Sequence, residues 1–560
     1  MTLSRSNQTF PAIAIIMLPV AVWFTIILLF AENIPWFDDF DPFPDFLRKW
    51  TLSDGGFEKL KLIFQPNNEH RMIWGKLVAL AFYKLTGHLD FRFLQITSAF
   101  FTLGTVFLFW KAFRKTGLPV LFFAPIPFFI FHLQYYGTYL WAICGMQHQP
   151  VVFFTVLTCY LLGKKLFWPA VIAAISANFA MGNGVLVWVA GFAILIYLNR
   201  PRLILIWVIL CAVNAYLYFY GMSPQGNESG FTFLKEHPQL SFIGFFMFLG
   251  GLFDLSPDRH IDTRSIATFI GGFLAGAYAI WWVIRFVLLK SRTLKPSPGK
   301  AEADSFAIGI LVFVLANAFI IALLRPRFGM DVMLVSNYKI YPGLFFAAVY
   351  FSMLLLKRPS KAIFRAGLAI AAVLWTGSLF IYFPTVRERS LYFRINAYNQ
   401  RDHQFGLGFE PGSEAAAYIG RLVDFLAEKD IYHLPRKLEA QLRVVRTTPA
   451  AKLDTPFTVH DSPDAVIVHI PDLPPPPLLG KIRFFYVSSG DRIFLFKAEQ
   501  NPNQGRNFLK KFTNGTFFSL RKQLLPPGSY HAGFYDDQLR SHFSLGKITI
   551  PGGSANAGLN

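Results

Sequence analysis

Runs of about 20 consecutive apolar residues recur between Phe10 and Phe383, and no other feature restricts the fold of this chain so strongly. A helix rising 1.5 Å per residue needs about that length to cross a hydrocarbon core of roughly 30 Å. Within such a core the backbone must satisfy its own hydrogen bonds, so the spans are expected to be helical. Of the 560 residues, 54% are hydrophobic and 15% charged, where soluble domains carry about 25% charged residues. The chain reads as a mainly α polytopic membrane protein.

Spans are expected at 10–31, 91–113, 119–134, 151–162, 168–180, 185–198, 203–220, 266–289, 306–324, 341–356 and 362–383, about eleven in all. The segment 73–86 is too short to cross and carries Lys76 and Lys84, which fits an interfacial helix. Residues 240–255 are apolar but short, and read as a re-entrant or surface helix rather than a span. The first run lacks a clear cleavage site and is expected to remain as a span.

The net charge is +20, and its placement matters more than its sum. Cations gather in short connections: Arg114 with Lys115, Lys164 with Lys165, Arg200 with Arg202, the stretch 290–300, and Lys357, Arg358 and Lys361. That is the positive-inside pattern of cytoplasmic loops. Cations dispersed among spans exclude a nucleic-acid surface as their purpose. The expected topology has a cytoplasmic N-terminus, an outer loop over 32–71 and an outer C-terminal region, in a bacterial inner membrane. Three cysteines, all in or beside apolar runs, imply neither a disulfide framework nor a metal site.

From Pro384 the composition changes. Residues 414–428 have helical spacing, and short alternating segments follow at 442–447, 465–470, 482–487, 492–497, 516–520, 529–534 and 548–550. Evenly spaced short strands predict a β-sandwich-like domain of about 110–130 residues. The expected domains are a membrane domain over 1–383, containing the first outer loop 32–72, a helical linker over 384–437, and a periplasmic β-sandwich-like domain over 438–560.

Four groups of residues have the chemistry of a site. Asp38 and Asp39, with Asp41 and Asp45 close behind, follow the first span beside Trp36 and Phe37. A carboxylate partly desolvated at a membrane surface has a raised pKa and can act as a base, or ligate a divalent cation such as Mg or Mn. The competing reading is a solvated loop with aromatic anchors. Glu69, His70 and Arg71 come next: Glu69 or His70 could move a proton and Arg71 hold a phosphate, or the triplet could simply open a helix. Gln134 and Gln147, with His148 and Gln149, are expected in a second outer connection, and Asn178 and Asn183 at the outer end of the fifth span; such costly polar groups either line a cavity or bond between helices. Arg325, Arg327, Tyr338 and Lys339 place cations in an outer loop, where the charge rule predicts few, and an anionic ligand such as a lipid phosphate would account for them.

At these residues a resemblance emerges. An acidic pair soon after the first span, an amphipathic helix closing on Leu85, Thr86 and Gly87, and a terminal outer domain resemble the GT-C superfamily of integral-membrane glycosyltransferases. The likeness covers 1–383 as architecture and is specific at Asp38-Asp39. It implies a polyprenyl-phosphate-sugar donor, a glycan or lipid acceptor, and a catalytic carboxylate at Asp38 or Asp39. A WWD motif, as in oligosaccharyltransferases, is absent. The rival expectations are a lipid-linked glycan flippase and a non-enzymatic envelope-assembly protein.

Overall fold

The computed structural model describes residues 5–67, 70–222, 228–288, 298–356, 361–477, 480–503 and 511–551. The chain divides into two compact units, one of Met1–Ala31 with Asp41–Phe383, the other of Glu32–Phe40 with Pro384–Asn560.

Among the described residues eight helices are long and apolar enough to cross a membrane: Phe10–Phe30, Phe91–Thr116, Val120–Tyr139, Ala142–Gly163, Pro201–Phe219, Ile261–Val287, Gly299–Leu324 and Lys361–His403. The chain is therefore a multi-pass membrane protein by the length and composition of its helices. Three segments expected to span are shorter: Phe167–Asn178 and Leu186–Tyr197 have 12 residues each and Ile340–Leu354 has 15. At 1.5 Å per residue these reach about 18–23 Å, less than a hydrocarbon core. Pro238–Leu249, also 12 residues, is likewise too short to cross. The segment 73–86 forms one helix, Ile73–Thr86, followed by Gly87 in the left-handed region.

The largest change from expectation concerns the residues after Gln134. Only Leu133–Tyr135 and Tyr136–Tyr139 form short turns of helix before the long helix Ala142–Gly163 begins. Gln147, His148 and Gln149 thus lie inside that helix and are buried, not in an outer connection. Gln149 is held there by Ser98 (2.8 Å) and Thr102 (2.7 Å) of the helix Phe91–Phe113. Two amphiphilic helices exchange polar side chains internally, which removes the cost of leaving amides unpaired.

Among the described residues of the second unit, nine strands form two sheets. We number them β1 (Ala451–Lys452), β2 (Thr458–Asp461), β3 (Ala465–Ile470), β4 (Arg483–Ser489), β5 (Arg492–Lys497), β6 (Glu499–Pro502), β7 (Phe512–Arg521), β8 (Gly528–Asp536) and β9 (Ser541–Ile550). One sheet has the order β1-β9-β8-β4-β5 and the other β2-β3-β7-β6. Alternation puts Val466, Val468 and Phe518 of one sheet against Phe485, Val487, Phe494 and Phe534 of the other in one buried cluster. This is a β-sandwich. On the outer face of the five-stranded sheet, Phe484, Tyr486, Ile493, Leu495 and Tyr535 pack under Ile395, Tyr398, Leu438 and Leu442. Residues 442–447, expected as a strand, belong instead to the helix Glu439–Thr447 that provides part of this cover. The helix Glu414–Glu428 begins with Ser413 capping Ala416 N–H. The expected linker 384–437 is part of this same compact unit.

Candidate functional site

In the first unit Lys115 pairs with Glu302 at 3.7 Å, Gly163 lies against the Glu302 backbone and the Tyr197 hydroxyl donates to Asp304 at 2.8 Å, so the turns after these helices meet at the start of the helix Pro298–Leu324. One end carries Arg114, Lys115, Lys164, Lys165, Arg200 and Arg202 in its turns. Two polar clusters gather at or near the opposite end.

The first centres on Asp254, which follows the turn Gly251–Phe253 and is fully buried. Lys339 Nζ donates to Asp254 Oδ2 at 2.6 Å and to the Tyr382 hydroxyl at 2.8 Å. Arg264, in the first turn of the helix Ile261–Val283, grips both carboxylate oxygens, with Nε to Oδ1 at 3.1 Å and Nη2 to Oδ2 at 2.8 Å. Its Nη1 reaches the exposed Asp331 at 3.3 Å. The Tyr382 hydroxyl donates to the Asp254 carbonyl at 2.8 Å. Burial alone would raise the Asp254 carboxyl, but Lys339 and Arg264 outweigh it and hold it below its usual range. Burial pulls the Lys339 ammonium down to about 8 against the opposing pull of Asp254. A buried carboxylate with two cations and a phenol is a fixed electrostatic feature that only paired geometry makes tolerable. Beside it, Gln134 Nε2 donates to the Leu252 carbonyl at 2.8 Å, and Ser336 Oγ to the Gln134 carbonyl at 2.9 Å. The turn that holds Lys339 is thereby locked to the turn that holds Gln134.

The second cluster centres on Tyr341, two residues beyond Lys339. The Tyr341 hydroxyl meets His148 Nδ1 at 2.8 Å and accepts from Asn183 Nδ2 at 2.7 Å. Asn183 Nδ2 also donates to Asn317 Oδ1 at 3.1 Å. Among the described residues, Asn317 Nδ2, Asn183 Oδ1 and both amide atoms of the fully buried Asn178 have no hydrogen-bond partner. Each such atom costs about 1–3 kcal/mol unless something satisfies it. His70 interacts electrostatically with His148 and lies against Gly182. Tyr338 packs edge-on against the His148 ring, with centroids 6.1 Å apart. The sequence marked His70, Gln134, His148, Asn178, Asn183, Tyr338 and Lys339 individually, but it gave no sign of Asp254, Arg264, Asn317, Tyr341 or Tyr382 as their partners. An acidic residue ending the apolar stretch 240–255 was the available clue to Asp254.

Other expected residues are placed differently. Arg71 is buried, and its guanidinium donates to the carbonyls of Phe64, Tyr218 (2.6 Å) and Tyr220. These carbonyls close the helices Gly56–Phe64 and Pro201–Phe219, where cations are favoured. Arg71 is in this structure a helix-end cap, not an exposed phosphate ligand. Lys76 does the same for the helix Gly56–Phe64 through the Leu62 and Gln65 carbonyls (3.0 and 2.7 Å), and burial lowers its ammonium to about 7. Gln147 donates to Met72 Sδ at 3.1 Å. Arg325 and Arg327 are half-buried, and both approach the Phe328 ring, at 6.0 and 4.6 Å from its centroid. Glu69 lies outside the described residues.

Asp38 and Asp39 belong to the second unit. They sit in the short turn Phe37–Phe40, where Asp39 is buried and its Oδ2 accepts the Trp36 N–H at 2.9 Å, while Asp38 is half-buried. Trp36 stacks on Phe393 at 5.2 Å, and Glu32 accepts from Ser390 (2.6 Å) and pairs with Arg394 (2.7 Å). Aromatic and ionic contacts thus fix the turn that presents the acidic pair. Asp45, by contrast, is in the first unit and is neutralised by Arg48 and Lys49 at 2.8 and 2.6 Å. Among the described residues no three His, Cys, Asp or Glu side chains are grouped so as to hold a metal ion.

No family model, no curated protein and no solved structure matches this chain. The fold and its polar clusters define a class: a polytopic membrane protein with buried polar networks at one end of its helical unit and a β-sandwich at its C-terminus.

Proposed function

We propose that the chain is a membrane glycosyltransferase that moves a sugar, with inversion, from a polyprenyl-phosphate donor to a glycan or lipid acceptor. One observation carries this reading: two buried polar networks lie near the end of the helical unit opposite its basic connections. In this reading, following the charge rule, the basic end is cytoplasmic and the polar end outer, with the N-terminus inside and the β-sandwich outside, in a bacterial inner membrane. Polar groups inside a membrane protein are costly and mark a working cavity. Amides that still lack a donor and an acceptor, beside a tyrosine and a histidine, fit sugar hydroxyls, which supply both.

In this reading Asp38, the more accessible of the pair, takes the proton from the acceptor hydroxyl as it attacks the anomeric carbon. Asp39 is a positioning residue, holding the turn through the Trp36 N–H. Arg325 and Arg327 are the cations suited to the leaving phosphate, the group on which charge develops. Arg71 and Lys339 are already engaged with acceptors of the protein itself. Purified full-length protein in proteoliposomes, supplied with a polyprenyl-phosphate-linked radiolabelled sugar, tests the reading. Asp38→Asn is expected to lower transfer by about 10²–10⁴-fold and Asp39→Asn by less. Full transfer by the Asp38→Asn/Asp39→Asn variant would remove the acidic pair from the mechanism.

A second reading draws on the buried Asp254, Lys339 and Arg264: a transporter of the same lipid-linked glycan, since buried charges line such pathways. Movement of labelled lipid across the bilayer without sugar transfer would favour it.

A further inference from the structure

The outer face of the five-stranded sheet is only half covered. Strand alternation sends Phe484, Tyr486, Ile493, Leu495 and Tyr535 to this face, where helices cover its apolar end and Tyr486 and Ile493 stand at the edge of that cover. Toward the other end the same strands present Ser488, His531 and Ser544, with Ser488 and His531 directly opposite across β4 and β8. There the covering helix Glu439–Thr447 ends, and a cleft of about 670 Å³ remains. Arg446 and Val445 form one wall, the β4–β5 turn with Gly490 and Asp491 another.

The floor is built, not accidental. His542, 4% exposed, donates from Nε2 to the Thr448 carbonyl at 2.9 Å, because a carbonyl can only accept. In the neutral ring Nδ1 is then the acceptor, and the buried Tyr486 hydroxyl donates to it at 2.6 Å. Burial raises that phenol to about 12, which keeps its proton in place at neutral pH. A rigid aromatic floor thus underlies a rim of hydroxyls, an imidazole, one cation and one anion.

We propose that this cleft is a carbohydrate-binding site, for a neutral, polyhydroxylated sugar of a glycan chain. The rim has no net charge, since Arg446 balances Asp491, which disfavours a phosphate or an acidic polymer. Serine hydroxyls, His531, Arg446 and Asp491 alternate donors and acceptors around a ring-sized space, as vicinal sugar hydroxyls require. Tyr486, Ile493 and Val445 give the apolar contact that a pyranose face makes. The choice of a sugar as ligand rests on the transferase reading, in which this domain would retain the acceptor, but binding here needs no transfer chemistry.

Saturation-transfer difference NMR on the full-length protein in detergent micelles tests the proposal, with maltohexaose, chitohexaose and mannohexaose as separate probes. At least one is expected to give saturation of its ring protons, with millimolar affinity. Ser488→Trp, which fills the cleft, should abolish the signal. Arg446→Ala, on an exposed helix surface, should reduce it several-fold with an unchanged thermal transition, and so decides the matter if the tryptophan variant does not fold. No saturation of any probe, or equal saturation in wild type and Arg446→Ala, would overturn the site. So would saturation of an extended peptide in place of the sugars. Sugar binding retained in the Asp38→Asn/Asp39→Asn variant with transfer lost supports the site and the transferase together. Binding with full transfer in that variant supports the site and removes only the base.

Discussion

A lysine or arginine in a membrane protein is defined by what its donors meet. Arg71 looks in sequence like a cation waiting for an anion and Lys76 like the polar side of an interfacial helix, yet the N–H groups of both end on the last carbonyls of helices. Those carbonyls lack intrahelical partners, so a buried cation there satisfies several orphan acceptors at once. Lys339 has a different partner, a buried carboxylate that it shares with Arg264. Removing one member of such a set leaves the others charged and desolvated. Asp254→Asn leaves two cations together and is expected to cost about 3–5 kcal/mol. Lys339→Met leaves Asp254 still held by Arg264 and should cost less. In the double variant the losses should not add, with a coupling of about 1–3 kcal/mol. Unfolding of the purified protein in detergent measures all three, and strict additivity would show that Asp254 and Lys339 do not act as a pair.

Elements pack here through small residues and short helices. Gly272 and Gly250 bring the helices Ile261–Val283 and Pro238–Leu249 so close that an added Cβ would stand 1.8 Å from the Phe246 carbonyl oxygen in one case and from that of Thr268 in the other. Without a hydrophobic driving force inside lipid, close backbone approach is a main source of helix association. Gly272→Leu should therefore cost about 1–3 kcal/mol or more, read as a lowered thermal transition. Gly420→Ala, in the helix Glu414–Glu428 with open space around its Cα, should instead be neutral or gain a few tenths to about 1 kcal/mol. A loss at Gly420 equal to that at Gly272 would mean that the space at Gly420 is closed to a methyl group and that packing penalises both sites alike. Residues 442–447 show the complementary lesson. Leu442, Val444 and Val445 are apolar at neighbouring positions, and β-branched residues favour strand locally. The need to cover Tyr486 and Ile493 decided for a helix, with Leu442 fully buried.

At the scale of the whole molecule, the helix ends sort into a basic set and a set holding the polar networks. With the three native cysteines replaced, single cysteines at Lys115, Lys165 or Arg200 should react with an impermeant maleimide only from the cytoplasmic side of cells or vesicles. Cysteines at His88, Asp262 or Asp331 should react only from the other side. Labelling of both sets from one side would overturn the topology. The division into compact units at Phe383 and Pro384 coincides with the composition change, but the inclusion of 32–40 in the second unit does not follow from composition. Those residues join it because Trp36 finds Phe393 and Glu32 finds Arg394.

Length and apolarity that match a bilayer already reveal, from the residues alone, that the chain up to Phe383 is built on membrane helices. The sequence indicates too that strands follow near the C-terminus, as β3, β5 and β8 show, because alternation is a local signal. It also singled out His70, Asn183, Gln134 and Lys339 as unusual. What only the tertiary structure decided is what each polar residue meets. Tyr341 joins His148 to Asn183 across separations of 193 and 158 residues, and Lys339 meets Asp254 across 85. No local pattern encodes such pairings, since a side chain's partner is set by packing of distant helices. The same packing turned Arg71 from a candidate ligand into a cap, and left part of one sheet face open as a polar cleft.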